Sequence, residues 1–255
     1  MRALVASEKS AIRVEDVLEV HPGSRKAANL TISRLHRKGW LQRLRRGLYA
    51  IIPLEASTPH PAVEDAWPLA MELFSPCYIS GWSAAEHWDL TEQIFNGISL
   101  VSTHPQRSAE QTIAGIEFRV RTMARDRMFG TEKVWFSSQR VNVADPHRLL
   151  VDILDMPSFG GGARHTIDVV GAYWKSPHRN PAKLLEYALR YKRGTVFKRL
   201  GFTAELFEAA PDDWLGQCRE HMSSGITRLD PSGPDKGRIV TRWRLKINVP
   251  LPVQQ

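Results

Sequence analysis

The sequence predicts an α+β protein, an N-terminal winged helix-turn-helix followed by a larger mixed α/β domain. Three observations carry this reading. A pattern of helix, turn, helix and hairpin runs through residues 13–52, a proline-punctuated stretch follows at 53–61, and strand and helix signals then intermix to residue 247. A length of 255 residues suits one large or two modest domains. With 42% hydrophobic and 24% charged residues, the chain is close to soluble globular proteins, and wholesale disorder does not fit.

Each element has its own signal. Residues 13–19 read as a short helix, and His21-Pro22-Gly23 breaks the chain after it. Ser24 is a good N-cap for a helix over 25–38, along which Ala28, Ile32 and Leu35 recur as one packed stripe, and Gly39 ends it. Residues 40–44 and 48–52 read as two short strands joined through Arg45-Arg46-Gly47, a hairpin with a cationic tip. Pro53, Pro59 and Pro61 mark the boundary, giving domains at 1–56 and 62–255 with a linker at 57–61.

Beyond the linker, 63–74 reads as a helix with Pro68 as a possible kink, and 83–88 as a second, short one. Strands are expected at 98–102, 116–121, 134–136 and 141–143, the last two forming a hairpin through 137–140. Asp145 and Pro146 are the N-cap and first-turn residues of a helix carrying Leu149, Leu150, Ile153 and Leu154. Gly160-Gly161-Gly162 reads as a flexible joint, because no Gly-Lys-Ser/Thr follows to make a phosphate loop. Asn180-Pro181 opens a helix with Leu184, Leu185, Ala188 and Leu189 on its apolar side. Residues 239–247 alternate apolar and polar as one amphipathic strand, whose outward Arg242, Arg244 and Lys246 form a possible second basic surface.

The formal net charge of +8 is local. Residues 24–47 hold eight cations and no acid, and setting those eight aside leaves 27 basic and 27 acidic residues. Such a segment suits a polyanion. On the helical wheel Lys26, Asn29, Leu30, Ser33 and Arg37 face away from the packed stripe, a surface suited to a major groove. The expected DNA-binding residues are therefore Arg25, Lys26, Asn29, Ser33 and Arg37 on the helix, with Arg43, Arg45 and Arg46 on the wing.

Other function classes find little support. No apolar run approaches the roughly 18 residues of a membrane span, and charge interrupts the N-terminus before a signal peptide can form, so a cytoplasmic protein is expected. Cys77 and Cys218 read as free buried thiols. His-Glu-x-x-His, Gly-x-Ser-x-Gly and Cys-x-x-Cys are all missing, and no cofactor, metal or catalytic residue is expected. His87, beside Trp88, reads as structural. The main alternative is a metal-dependent nuclease using Asp145 and Asp152 as paired carboxylates, although Asp145 serves as a cap and Asp152 can pair with Arg148. A transcription factor whose large domain senses a ligand is a further alternative.

Three segments carry a resemblance. Tyr78-Ile79-Ser80-Gly81-Trp82-Ser83-Ala84-Ala85-Glu86-His87-Trp88-Asp89-Leu90-Thr91-Glu92-Gln93, then Val143-Ala144-Asp145-Pro146-His147-Arg148-Leu149-Leu150-Val151-Asp152, and finally Thr241-Arg242-Trp243-Arg244-Leu245-Lys246-Ile247-Asn248-Val249 resemble, in order, the AbiEi-type antitoxins of type IV toxin-antitoxin (abortive infection) systems. The resemblance implies a non-enzymatic regulator that represses its own operon through promoter DNA. It also implies a functional partner, a nucleotidyltransferase-like toxin, that need not bind the antitoxin stably. The first helix of the family's three-helix module has to fit within residues 1–10.

Overall fold

Local capping chemistry sets the N-terminal elements. The computed structural model describes residues 11–45, 47–51, 66–113, 115–136 and 139–251, with the side chains of Arg45 and Ile51 left aside. The helix expected within 1–10, the linker and the start of the helix expected from 63 lie outside the described residues. Strand β1 (Ala11–Ile12) leads into α1 (Val14–Val20), where the Arg13 amide donates to the Asp16 carboxylate at 2.6 Å. Helix α2 (Arg25–Arg37) follows, then β2 (Leu41–Arg45) and β3 (Leu48–Ile51), and the three strands pair antiparallel in the order β1-β3-β2. The expected order of helix, turn, helix and hairpin is present. Ile12, Val14, Val17, Ala28, Ile32, Leu35 and Leu41 form one small core, while Ala11 and Leu48 join the larger core of the chain. Arg13 also reaches the carboxylate of Glu72, at 3.3 Å.

The larger part is built on a six-stranded mixed sheet. Helix α3 (Ala66–Phe74), β4 (Cys77–Ile79), α4 (Gly81–His87), β5 (Gly97–Ser102), β6 (Glu110–Ile113), β7 (Ile116–Thr122), β8 (Thr131–Phe136) and β9 (Gln139–Ala144) give the strand order β6-β7-β5-β4-β9-β8. Every residue of β5 is buried, as expected of a strand covered on both faces. Phe136 pairs with Gln139, so Gln139 and Arg140 belong to β9 rather than to the wider turn expected at 137–140; residues 137–138 themselves lie outside the described residues.

Helices α5 (Pro146–Asp155), α6 (Ala163–Lys175), α7 (Pro181–Tyr191), α8 (Gly194–Leu206) and α9 (Asp212–Glu220) complete this body. Asp145 accepts from the Arg148 amide and Asn180 from the Lys183 amide, which are the two N-caps expected from Asp-Pro and Asn-Pro. Leu184, Leu185 and Ala188 are buried, but Leu189 is 38% exposed, since the buried stripe of α7 is narrower than its apolar sequence. Of the three glycines at 160–162, Gly160 and Gly161 are packed rather than parts of a loose joint, while Gly162 faces open space. A Cβ at Gly160 would lie 2.9 Å from the Ile153 side chain, and Gly161, at φ +88, stands against Phe95.

The C-terminal alternation is also corrected. In place of one strand, the chain forms β11 (Arg238–Val240), a 3-10 turn over Thr241–Trp243 and β12 (Leu245–Ile247), folded back so that Val240 faces Leu245 and Arg238 faces Ile247. Strand β10 (Thr227–Arg228) pairs parallel to β12. Arg244 turns the corner at φ +47, a left-handed conformation incompatible with a continuous strand. The corner drives Trp243 into the core, where its indole N–H donates to Glu205 at 2.8 Å. Both cysteines are free and buried, and burial pushes each thiol up to about 12. No described helix is long and apolar enough to cross a membrane.

Gly201 on α8 lies directly against Trp243, and a Cβ there would overlap the indole ring. Gly201→Ala should therefore cost about 1–3 kcal/mol in urea unfolding. Gly225→Ala, with no atom within 4 Å of the added carbon, should stay within about 0.5 kcal/mol of the parent.

Candidate nucleic-acid interface

Helix α2 presents an exposed face of clustered cations where the sequence leads one to expect it. Its start is held by Ser24, whose hydroxyl accepts from the Ala27 amide at 3.2 Å, and no acid occupies the first turn. Its end is closed by Gly39 at φ +74, with the Trp40 amide returning to the Leu35 carbonyl and the Gly39 amide to that of His36. That double return is a Schellman stop, and the positive φ explains the glycine. His36 Nδ1 then lies 2.8 Å from the Leu41 carbonyl, tying the helix end to the hairpin.

With Ala28, Ile32 and Leu35 turned inward, Lys26, Asn29, Leu30, Ser33 and Arg37 are all exposed. Arg34 and Lys38 extend the exposed cations toward the helix end, and Lys38 lies over the Trp40 ring at 5.2 Å. Arg25 pairs with Glu15 of α1 at 2.9 Å, a solvent-exposed bridge of small energetic weight that a phosphate can replace. Arg43 is exposed on β2 opposite Tyr49, beside a register irregularity between Arg43 and Arg45. The side chain of Arg45 and the whole of Arg46 lie outside the described residues. Helix α2 has 13 residues, about 20 Å of length at 1.5 Å per residue. With side chains an α-helix is about 10–12 Å across, so it fits a major groove about 12 Å wide.

Arg242, Arg244 and Lys246 do not share a strand face. Arg242 and Arg244 sit at the hairpin corner and only Lys246 lies on β12. Each is already engaged: Arg242 with Glu205 at 3.0 Å, Arg244 with the Ser223 carbonyl at 3.3 Å, and Lys246 with Asp235 at 2.8 Å.

The carboxylates considered for catalysis are buried and surrounded by donors. Asp145 accepts from the Arg148 amide at 2.9 Å and the Tyr187 hydroxyl at 2.8 Å, and Lys183 lies 3.1 Å away. Burial raises its pKa, but the His147 ring 3.5 Å away and hydrogen bonds from the Arg148 amide, Tyr187 and Lys183 outweigh that and bring it down to about 2. Asp152 accepts from Ser80 at 2.8 Å, Tyr78 at 3.0 Å and Arg148 at 3.2 Å. Among the described residues no group of three or more His, Cys, Asp or Glu side chains is arranged to hold a metal ion. His87 stacks among Trp67, Trp88 and Phe136, and burial lowers its pKa.

One signal that sequence reasoning left without a structural role is Ser80-Gly81-Trp82-Ser83. Gly81, at φ +57, lets the chain pass against the Phe159 carbonyl and the Ser99 hydroxyl, where any Cβ would collide. Ser83 and Ser99 exchange amide-to-hydroxyl bonds at 3.1 and 3.0 Å, joining α4 to β5. Beside them a cleft of about 330 Å³ is lined by Trp82, Phe95, Gln111, Glu117 and Arg119. Phe95 stacks on the Trp82 ring at 5.0 Å and Arg119 lies over that ring at 4.9 Å, so the aromatic surface is largely engaged by the chain itself.

Residues 1–52 match the family model described as transcriptional regulator, AbiEi antitoxin. The family expected from the sequence is thus shown at the N-terminus, whereas the three segments that suggested it lie outside the matched stretch. No curated protein matches the sequence. Among solved structures, the crystal structure of the RV2827C protein from Mycobacterium tuberculosis matches with a TM-score of 0.65 at 15% identity, covering 96% of this chain and 88% of that one. At that identity the likeness is one of fold.

The assignment of Asp145 as a structural anion has a pH consequence. Its folded pKa lies below the ordinary carboxylate value, so its contribution is complete above about pH 4 and is lost as pH falls toward 2. Unfolding free energy in urea should drop across that window by on the order of 2 kcal/mol from this group. Asp145→Asn, which keeps a capping side chain, should be less stable at pH 6 and flatten the acid slope. An unchanged slope would show that the charge is not held by the fold.

Proposed function

We propose that this chain is a DNA-binding transcriptional autorepressor and the antitoxin of a type IV toxin-antitoxin system. In this reading it works in the cytoplasm as a binding protein, not an enzyme. Residues 1–56 act as a winged helix-turn-helix on operator DNA, and residues 62–255 carry the function that counteracts a nucleotidyltransferase-like toxin. The observation that carries the reading is the exposed face of α2, cationic and acid-free, in a segment covered by the regulator family. Helix α2 enters the major groove, where Asn29 and Ser33 offer directional hydrogen bonds to base edges while Arg25, Lys26 and Arg37 meet phosphates. Arg43, Arg45 and Arg46 place the wing on the adjacent backbone. A second contact surface at Arg242, Arg244 and Lys246 belongs to the proposal in weakened form, since an acidic partner has to displace Glu205 and Asp235.

The nuclease alternative loses ground because Asp145 and Asp152 already have structural partners, and a ligand-sensing role has in its favour the Trp82 cleft, whose aromatic surface the chain itself largely engages. The test is binding of the full-length protein to the duplex upstream of its own gene. If about half of the eight cations of residues 24–47 meet phosphates, log affinity against log salt should fall with a slope of roughly −3 to −5. Arg45→Ala with Arg46→Ala should weaken all sequences and flatten the slope by about 2, whereas Asn29→Ala should relax sequence preference. A slope near zero for the parent protein overturns the reading. Growth rescue on co-expression with the neighbouring gene product tests the antitoxin half.

A further inference from the structure

Leu30 is 52% exposed at the middle of α2, and it belongs to neither hydrophobic core. A single exposed leucine is ordinary on a protein surface. Its surroundings here are not. On the helix it lies one turn from Lys26, Ser33 and Arg34 and two turns from Arg37, all exposed, with Asn29 beside it. Ala27, one turn back, is exposed as well, so Leu30 is the large apolar group at the centre of a face made mostly of cations and hydrogen-bonding groups.

We infer that Leu30 is a specificity-determining residue that reads the 5-methyl group of a thymine. The inference rests on the DNA-binding reading of α2 and deepens it. A leucine can neither donate nor accept a hydrogen bond, and the apolar feature of unmodified bases in the major groove is the thymine methyl. With α2 in that groove, Leu30 is pressed toward base edges. Against thymine it buries the 5-methyl group, which cytosine lacks, while the polar 4-substituent beside it, O4 in thymine and the amino group in cytosine, is present in both. The methyl is therefore what favours thymine over cytosine at that step. Asn29, next along the helix, can make the paired hydrogen bonds that adenine accepts and donates, so the two residues together suit a site rich in A·T pairs.

The experiment uses the full-length protein and a duplex selected by it from a random-sequence library at physiological salt, with each thymine of that duplex then replaced by deoxyuridine. Uracil differs by the methyl group alone. One or two positions should show an affinity loss of about fourfold, the worth of one buried methyl. That loss should vanish in Leu30→Ala and persist in Leu30→Met, and 5-methylcytosine should bind better than cytosine at the same positions. Alanine is a better helix former than leucine and Leu30 leaves no core gap, so both variants should keep the parent's thermal transition. Selection of no duplex overturns the DNA-binding reading and this inference together. A selected duplex that is indifferent to uracil, or equally sensitive in Leu30→Ala, overturns the role of Leu30 and leaves DNA binding standing.

Discussion

The larger body depends on one buried ion pair. Arg148 and Asp152, four residues apart on α5, are both fully buried, with a guanidinium nitrogen 3.0 Å from the carboxylate. The carboxylate also accepts from Tyr78 at the heart of β4 and from Ser80 just after it, while the guanidinium lies over the rings of Phe129 and Tyr191 at 4.5 and 5.0 Å. Burial disfavours a charged arginine, but the adjacent Asp152 more than offsets this and holds the guanidinium pKa above its ordinary value. A buried pair of this kind is poor evidence for net stability, because desolvating both ions is costly. The two ions pair within the helix itself, and the hydroxyls of Tyr78 and Ser80 reaching the carboxylate are what register that helix against the sheet.

The same helix is fixed at both ends by polar groups. Asp145 caps its start, and at its close Arg199 donates to the Leu154 carbonyl at 2.6 Å while Asp155 pairs with Arg121 and accepts from Tyr191. Burial pushes Asp155 up, and Arg121, Tyr191 and Arg193 together hold it below the ordinary carboxylate range. The ionisable groups that a catalytic reading would recruit are therefore engaged in positioning α5. On α2 the outward Lys26, Asn29, Leu30, Ser33 and Arg37 are exposed, while Arg25 pairs with Glu15 and Lys38 lies over Trp40. That contrast supports the proposed reading.

How legible this was depended on how local each signal is. Helix α2 was legible down to its caps because Ser24, the stripe Ala28, Ile32 and Leu35, and Gly39 act within the helix itself. The caps at Asp145 and Asn180 were legible for the same reason. Residues 239–247 misled because period-two alternation does not distinguish one long strand from two three-residue strands either side of a corner, and an arginine at positive φ announces nothing in the sequence. Strands β4 and β6 are too short, at three and four residues, to carry a periodic signal. Gly160 and Gly161 looked like freedom and proved to be close packing, since Ile153 of the preceding helix and the distant Phe95 approach them, whereas Gly162 stays open.

The distribution of charge links these observations to function. The acid-free segment at 24–47 falls inside the 52 residues matched by the regulator family, and the remainder of the chain is balanced. At physiological salt a charge is screened over about 8 Å, so a balanced body more than that distance away neither strongly repels nor attracts a polyanion bound to α2. Affinity can then be set by the number of phosphates the small module reaches, and specificity by the few side chains between those cations. In the proposed complex the cations that meet phosphates are indifferent to sequence, while Asn29, Leu30 and Ser33, together with any arginine that reaches a guanine edge, can tell one duplex from another. Under the proposed reading, the uncharged centre of α2 adds hydrogen-bonding and apolar groups to a face that phosphate contacts alone would leave indifferent to sequence.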